Sequence, residues 1–183
     1  MATSQLQKVN LYPAEVRDVD AFGQHLARLI NHVDDPQGIR FNPRVPGTYK
    51  FDAKAAESFS KAWATPPGEP GWQVCWLLKH TDGVCGHLNL RSLPFEASVH
   101  HAYLGMGIER AWQGQGWGRK LMQVGLDWCR AASIELVTLN TFSVNTPAIS
   151  LYKKFGFEIV GDVKKAFKIE GQFYDDILMA LYL

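Results

Sequence analysis

The chain has 183 residues, of which 46% are hydrophobic. A chain of this length can bury roughly 70% of its unfolded surface, so we expect one globular domain over residues 1–183. Its 19 Lys and Arg nearly balance 18 Asp and Glu, which argues against a nucleic-acid partner because such domains usually carry a marked basic excess.

The predicted elements of the first half are a short strand, two helices and a hairpin. The pattern predicts strand 8–16, a helix after Asp18 or Asp20, a helix after Asp52, and strands 72–79 and 84–92. In the first helix, apolar residues recur at helical spacing as far as Val33. The two strands are joined through Thr81-Asp82-Gly83, a typical hairpin turn.

The second half alternates strands and helices before a final hairpin. The pattern predicts strand 99–108, helix 117–132, strand 134–142, a short helix with Thr146 as N-cap and Gly156 at its end, and strands 157–168 and 172–182. Helix 117–132 has one broad apolar face opposite a charged one. The element order β-α-α-β-β-β-α-β-α-β-β predicts an α/β (α+β) fold, a mixed sheet with helices on both faces.

No run of about 18 apolar residues is present, so we expect no membrane span. The first residues also lack the apolar core of a signal peptide, which predicts a cytoplasmic location. Cys75, Cys85 and Cys129 lie far apart in the sequence and form no Cys-x-x-Cys pair. This spacing predicts reduced core thiols, with no disulfide framework and no metal site.

A glycine-rich loop precedes helix 117–132. Gly114, Gly116 and Gly118 lack the Cβ atoms that keep a pyrophosphate from the backbone, and a helix start offers unpaired N–H groups. A dinucleotide fingerprint does not fit because the third glycine comes one residue early. A nucleotide P-loop does not fit because no Lys-Ser/Thr pair follows Gly118. A tight strand–helix turn without a ligand is the other alternative.

Two motifs resemble signatures of the GNAT superfamily of N-acetyltransferases. Gln113-x-x-Gly116-x-Gly118 resembles the pyrophosphate loop of that family. The segment from Asn145 through Phe157 closely matches its second signature, Asn-x-x-Ala-x-x-Leu-Tyr-x-x-x-Gly-Phe. The resemblance implies a mostly antiparallel sheet of about 6–7 strands. It also implies that the fourth and fifth strands splay apart, with acetyl-CoA in the gap and no metal.

The resemblance further implies which residues bind the cofactor. A bulge at Gly105 and Gly107 would turn backbone groups of the fourth strand toward the pantetheine arm. Pyrophosphate is expected on the N–H groups of the loop, with a nearby arginine adding charge. For Asn145, a turn or helix-cap role is the other interpretation. The implied acetyl-CoA-binding residues are Met106, Ile108, Gln113, Gly114, Gln115, Gly116, Gly118, Arg119 and Asn145.

The implied reaction is direct attack of an amine on the thioester. Tyr152 occupies the position where the family places a tyrosine beside the CoA sulfur, which suits a general acid; a core tyrosine is the alternative. Two positions carry a glutamate base in some members, and they hold Ala102 and Asn140 here. His100, His101 or a water chain remain as candidate bases.

The acceptor is the part of the reaction that the sequence constrains least. A small amine, an amino acid, a polyamine, an aminoglycoside and a protein N-terminus all stay open, as does a homodimer. Candidate pocket residues, each also interpretable as core or solvated, are Phe41, Trp63, Trp72, Tyr174, Asp175 and Asp176. Because both family glutamates are missing, a non-catalytic acyl-CoA-binding sensor is the alternative function.

Overall fold

The structure, a computed structural model, describes residues 9–31 and 42–183. The predicted helix end at Val33 and the candidate pocket residue Phe41 lie outside these ranges. The strands are β1 (Asn10–Pro13), β2 (Gln73–His80), β3 (Gly83–Ser92), β4 (His101–Ile108), β5 (Leu136–Phe142), β6 (Glu158–Ile169) and β7 (Gln172–Tyr182). The helices are α1 (Val19–Asn31), α2 (Ala53–Ala64), α3 (Trp117–Ala131) and α4 (Thr146–Lys154).

The strands form one sheet in the order β1-β2-β3-β4-β5-β7-β6. All neighbouring strands are antiparallel except β4 and β5, which run parallel. These two strands pair only from His101–Leu136 to Tyr103–Thr138 and then diverge. The space between their unpaired ends is called the gap below. The predicted mixed sheet with a splay between its fourth and fifth strands is confirmed.

Alternating side chains of the sheet divide the core into two layers. On one face, Leu77 of β2 packs in a cluster with Phe22 of α1. On the opposite face, Leu78 belongs to a cluster that includes Leu126 of α3 and Tyr152 of α4. Helices therefore cover both faces, as predicted, and we call the two sides of the sheet the α1 face and the α3 face.

Helix α4 begins differently from the prediction. Its N-cap is Asn145, whose Oδ1 accepts a hydrogen bond from a first-turn N–H at 3.4 Å. The prediction of Thr146 as N-cap is therefore wrong, because Thr146 is already helical. Asn is at least as good a cap as Thr, and Pro147 costs no hydrogen bond in a first turn whose N–H groups lack helical partners.

Strand β4 contains no bulge. It pairs continuously with β3 over seven residue pairs, so the expected bulge at Gly105 and Gly107 is wrong. The two glycines instead permit close packing on the α1 face. A Cβ atom on Gly107 would overlap Leu29 of α1, and one on Gly105 would lie 2.6 Å from Oδ1 of Asn89.

A buried polar network ties α1 to the end of β4. His25 contacts Glu109 (Nδ1 to Oε1, 2.8 Å) and His87 (Nε2 to Nδ1, 2.9 Å). Arg28 donates to the same Glu109 oxygen at 3.1 Å. Burial alone raises the pKa of Glu109, but hydrogen bonds and charges from His25 and Arg28 outweigh it and hold that pKa below its ordinary value. Glu109 directly follows β4, so this network fixes the start of the glycine loop.

We expect Gly107→Ala to destabilise the fold by about 1–3 kcal/mol, because the new methyl group overlaps the buried Leu29 side chain and lies 2.9 Å from the His87 ring, so both must repack. The matched control is Gly161→Ala on β6, where the nearest atom to the added Cβ lies at 3.4 Å, an ordinary contact. Urea unfolding of both variants measures the difference. Equal free energies of unfolding would contradict close packing as the reason for Gly107.

We expect the chain to become less stable as the pH is lowered, because His87 is buried in its neutral form. Burial lowers the pKa of this residue well below its ordinary value, and the charge of His25 lowers it further, so folded His87 stays neutral. In the unfolded chain it takes up a proton below about pH 6.5. The stabilising contribution is therefore present above that pH and lost below it, by up to about 1.4 kcal/mol per pH unit.

Urea unfolding at several pH values measures this slope. His87→Gln should flatten it between about pH 6.5 and 5.5, whereas His100→Gln, at an exposed position, should leave it unchanged. An unchanged slope in His87→Gln would show that other groups cause the loss.

Candidate functional site

The first wall of the gap is the free backbone edge of β4. The N–H of Glu109 donates to the carbonyl of Cys85 at 2.9 Å, which shows that odd-numbered residues of β4 bond to β3. The N–H and C=O groups of Met106 and Ile108 therefore point into the gap. The Ile108 carbonyl already accepts a hydrogen bond from Nε2 of Gln113 at 2.8 Å. Both backbone groups of Met106 and the N–H of Ile108 are left to bind an extended ligand.

The second wall is the edge of β5. The N–H of Ser143 donates to the carbonyl of Asp175 on β7 at 3.1 Å, so odd-numbered positions face β7. Asn140 and Phe142 turn their backbone groups toward the gap instead. The carbonyl of Phe142 accepts from the N–H of Asn145 at 2.9 Å, which fixes the start of α4 beside the gap.

The glycine loop lies at the open end of the gap. Gly114 and Gly116 have φ angles of +72° and +83°, which favour glycine, and a Cβ atom on either would enter open space. The N–H groups of residues 114–119 have no acceptor among the residues that the structure describes. They precede or begin the 15-residue helix α3, whose positive dipole end adds to their attraction for an anion. The loop therefore offers a surface suited to an anion.

Two residues of this loop that were predicted to bind the cofactor donate hydrogen bonds to backbone carbonyls just before it. The N–H of Gln113, expected to hold pyrophosphate, already donates to the Arg110 carbonyl at 3.1 Å. The side chain of Gln115 donates to the Ala111 carbonyl at 2.9 Å. Arg119 is exposed in the first turn of α3 and has no ionic partner among the described residues. It is the cation of the loop that is free to face a phosphate.

Tyr152 lies on α4 with only 6% of its surface exposed. Burial, with a smaller effect of Tyr103, raises its pKa to about 12. The hydroxyl therefore keeps its proton throughout the physiological range. Tyr152 is a hydrogen-bond donor held in an apolar setting.

The candidate histidine bases lie where β4 and β5 are still paired. His101 contacts Thr138 across the two strands, Nε2 to Oγ1, at 2.7 Å. Burial, with a smaller effect of His100, lowers the pKa of His101. His100 is exposed, and its carbonyl accepts hydrogen bonds from the start of β5. Ala102, at a family glutamate position, is fully buried on the α3 face.

Four polar residues, called the polar chain below, cross the closed end of the gap on the α1 face: Arg91, Tyr103, Asn140 and Asp176. The Tyr103 hydroxyl donates to Oδ1 of Asn140 at 3.3 Å. Nδ2 of Asn140 donates to Oδ2 of Asp176 at 2.6 Å. The Arg91 guanidinium lies 4.4 Å from the centroid of the Tyr103 ring. Of these four residues, sequence reasoning named only Asp176 as an acceptor-site candidate. Arg91 and Tyr103 lie opposite each other in the register of β3 and β4, which spacing along the chain does not define.

The other predicted acceptor residues lie elsewhere. Trp63, Trp72 and Tyr174 pack against core aromatic rings at centroid distances of 5.2–5.4 Å. Asp175 accepts from the N–H of Lys165 at 2.8 Å and pairs with Nζ of Lys164 at 3.2 Å. Of the two neighbouring aspartates, only Asp176 belongs to the site.

The cysteines do not have the properties of nucleophiles. Burial raises the pKa of Cys75 well above its ordinary value, that of Cys85 to about 11 and that of Cys129 to about 12. All three thiols stay protonated at neutral pH, and a protonated thiol is a poor acyl carrier. The described residues include no cluster of three His, Cys, Asp or Glu side chains able to hold a metal ion. None of the described helices is both long and apolar enough to cross a membrane.

Comparison with known proteins agrees with this geometry. A model of the acetyltransferase (GNAT) family matches residues 45–157. The L-amino acid N-acetyltransferase AaaT of Escherichia coli (strain K12) is 33% identical over 157 residues, which is 83% of this chain and 96% of that protein. The N-alpha-acetyltransferase RimI of Mycobacterium tuberculosis is 35% identical over 81 residues, 44% of this chain and 47% of that protein.

Solved structures share the fold at lower sequence identity. A GNAT-family acetyltransferase from Streptococcus pneumoniae superposes with a TM-score of 0.81 and 22% identity, covering 96% of this chain and 100% of that one. The structure of yncA from Salmonella typhimurium with its cofactor acetyl-CoA gives a TM-score of 0.75 and 19% identity, covering 96% and 94%. The fold that this chain shares with that protein holds acetyl-CoA there.

Proposed function

The chain belongs to the acetyltransferase (GNAT) family, and we propose that it acetylates the amino group of a small L-amino acid. As an N-acetyltransferase it takes the acetyl group from acetyl-CoA. The acceptor class is supported by AaaT, a relative named for L-amino acids whose length this chain covers to 96%. The observation that carries the proposal is that the polar chain contains both a cation without an acidic partner, Arg91, and a carboxylate oxygen without a partner, Oδ1 of Asp176, among the described residues.

The polar chain matches the two charges of a free amino acid. Arg91 is exposed and has no acidic partner among the described residues. A guanidinium is well suited to bind a carboxylate through two hydrogen bonds. Oδ2 of Asp176 is bonded to Asn140, whereas Oδ1 has no partner in the described part of the chain. Arg91 receives the acceptor carboxylate and Asp176 its ammonium group.

The gap and the loop bind the donor. An extended pantetheine arm adds to the free edge of β4 as a further strand would, through the backbone of Met106 and Ile108. The pyrophosphate lies on the N–H groups of Gly114, Gly116 and Gly118, and Arg119 adds charge. Asn145 supports this end of the site by capping α4.

Tyr152 stabilises the leaving group. As the amine attacks the carbonyl carbon, no covalent enzyme intermediate forms, and negative charge develops on the CoA sulfur. The pKa of Tyr152, about 12, lies above the value of about 8.5 typical of a thiol. Tyr152 therefore acts by donating a hydrogen bond to the developing thiolate, and complete transfer of its proton is uphill.

The location and assembly of the protein are also proposed. Three free, buried cysteines support a reducing compartment such as the cytoplasm. The single domain over 1–183 and the homodimer stay predictions, which limited proteolysis and light scattering measure directly.

We expect Tyr152→Phe to lower kcat by about 10²–10³-fold, because a hydrogen bond to charge that develops in the transition state is lost. Acetyl-CoA affinity and stability should change little, since the ring is kept. The deficit should be constant from about pH 6 to 9, where the hydroxyl never ionises. Steady-state kinetics and calorimetric titration measure both quantities, and an unchanged kcat would remove Tyr152 from the mechanism.

The acceptor class is tested with matched substrates. CoA release is measured with free L-amino acids, their amides, polyamines, aminoglycosides and peptides. Free amino acids should be preferred over their amides. Arg91→Gln should raise KM about tenfold for the free acids, equivalent to about 1.4 kcal/mol, and leave the amides unaffected. The control is Arg130→Gln on α3, whose guanidinium pairs with Asp127.

Two results would overturn this assignment. A preference for polyamines or aminoglycosides would show that Arg91 does not select a carboxylate. A chain that binds acetyl-CoA but acetylates no amine in the panel would be an acyl-CoA sensor.

A further inference from the structure

We propose that Asp176 is the general base of this acetyl transfer, accepting a proton from the ammonium group of the acceptor through its Oδ1 atom. The proposal rests on the acetyltransferase function proposed above. It answers a question raised by the sequence, since the two positions that carry a glutamate base in relatives hold Ala102 and Asn140 here. Ala102 is buried on the wrong face of the sheet, which leaves the surroundings of Asn140.

The missing carboxylate is supplied by the neighbouring strand. Asn140 pairs with Leu178 of β7, and Phe142 pairs with Asp176, so Asn140 and Asp176 are diagonal neighbours on the same face. Their side chains meet at 2.6 Å. A carboxylate therefore lies one hydrogen bond away from the amide that replaces the glutamate.

The polar chain orients this carboxylate. An amide cannot accept and pass on a proton as a carboxylate does, so Asn140 is a positioning residue. The Tyr103 hydroxyl donates to Oδ1 of Asn140, which leaves Nδ2 turned toward Asp176. Nδ2 holds Oδ2 of Asp176, and Oδ1 stays open to a ligand at the closed end of the gap.

No cation among the described residues forms an ion pair with Asp176. The titratable and charged groups on its side of the site are Tyr103, with Arg91 beyond that ring, and His101, which contacts Thr138. On β6, Lys164 contacts Asp162 at 2.6 Å and Asp175 at 3.2 Å. At the open end of the gap, the Glu109 carboxylate contacts His25 and Arg28. Asp176 is the carboxylate beside the gap that has no ionic partner among the described residues.

The proposed step balances. One proton of the ammonium group moves to Oδ1 of Asp176, and the freed lone pair forms the C–N bond at the thioester carbonyl. The C–S bond then breaks, and its electron pair leaves on sulfur beside Tyr152. The nitrogen loses its second proton to the departing sulfur, and Asp176 returns the first proton to solvent. The products are the N-acetyl amino acid, CoA thiol and one proton.

The test is Asp176→Asn, which keeps the size of the side chain and an oxygen for Asn140. With the best amino acid of the panel, kcat/KM should fall by about 10²–10³-fold near neutral pH. The deficit should shrink as pH rises from about 7 to 9.5, because the free amine needs no base. The matched control, Asp162→Asn on β6, removes a hydrogen-bonded carboxylate outside the site and should retain wild-type kinetics.

A second variant separates proton transfer from structure. Asp176→Asn combined with Asn140→Asp moves the carboxylate by one hydrogen-bond length. Its kcat/KM should be at least about tenfold higher than that of Asp176→Asn alone. Melting temperature and acetyl-CoA affinity should match the wild type in both variants.

The outcomes distinguish the competing assignments. A deficit in Asp176→Asn that lies only in KM, with kcat unchanged, would reduce Asp176 to a residue that binds the ammonium group, and a deficit that is equal at every pH would make its role structural; either result overturns the proposal. A pH-dependent loss found in His101→Gln instead would make that histidine the base. A wild-type chain that acetylates no amine overturns the proposed function and this inference together, whereas turnover without a pH-dependent deficit overturns only the role of Asp176.

Discussion

The parallel pairing of β4 and β5 stops after three residue pairs, and the whole site depends on this interruption. Free strand edges carry N–H and C=O groups that need partners. Here two such edges face each other across the gap, and each offers backbone groups to an extended ligand with amide groups. In the proposed function, the helix start at one end binds phosphate, and the polar chain at the other end receives the amine. The end of the pairing between β4 and β5 thus creates a site with two chemically different ends.

Side chains on the α1 face make contacts at both ends of the gap. Gly107 lets α1 approach β4, and the contacts of His25 with His87 and Glu109 join the helix to the strand end. At the closed end, Tyr103 reaches across to Asn140 just beyond the last paired residues. These contacts lie at the open and closed ends of the gap, and β4 itself contains no bulge.

The sequence predicts what is encoded locally. The glycine loop, the Asn145-to-Tyr152 segment and the element order follow from spacing along the chain, and the structure has them. The explanation of Gly105 and Gly107 failed because a bulge and a close contact leave the same glycine pattern, and only the position of α1 separates them. The cap of α4 was misplaced by one residue because Asn145 and Thr146 are both good caps. The residues of the polar chain come from four different strands, so no spacing along the sequence predicts that they meet.

The two glutamines of the loop hydrogen-bond to the backbone that precedes them. Gln113 and Gln115 each donate to a carbonyl of the preceding segment, so the loop holds its shape through internal contacts. The entropy of ordering these residues is lost during folding, and acetyl-CoA meets a preorganised surface. The donor can therefore occupy its half of the site without help from the acceptor. The two side-chain amides thus give the loop its shape before any ligand is bound.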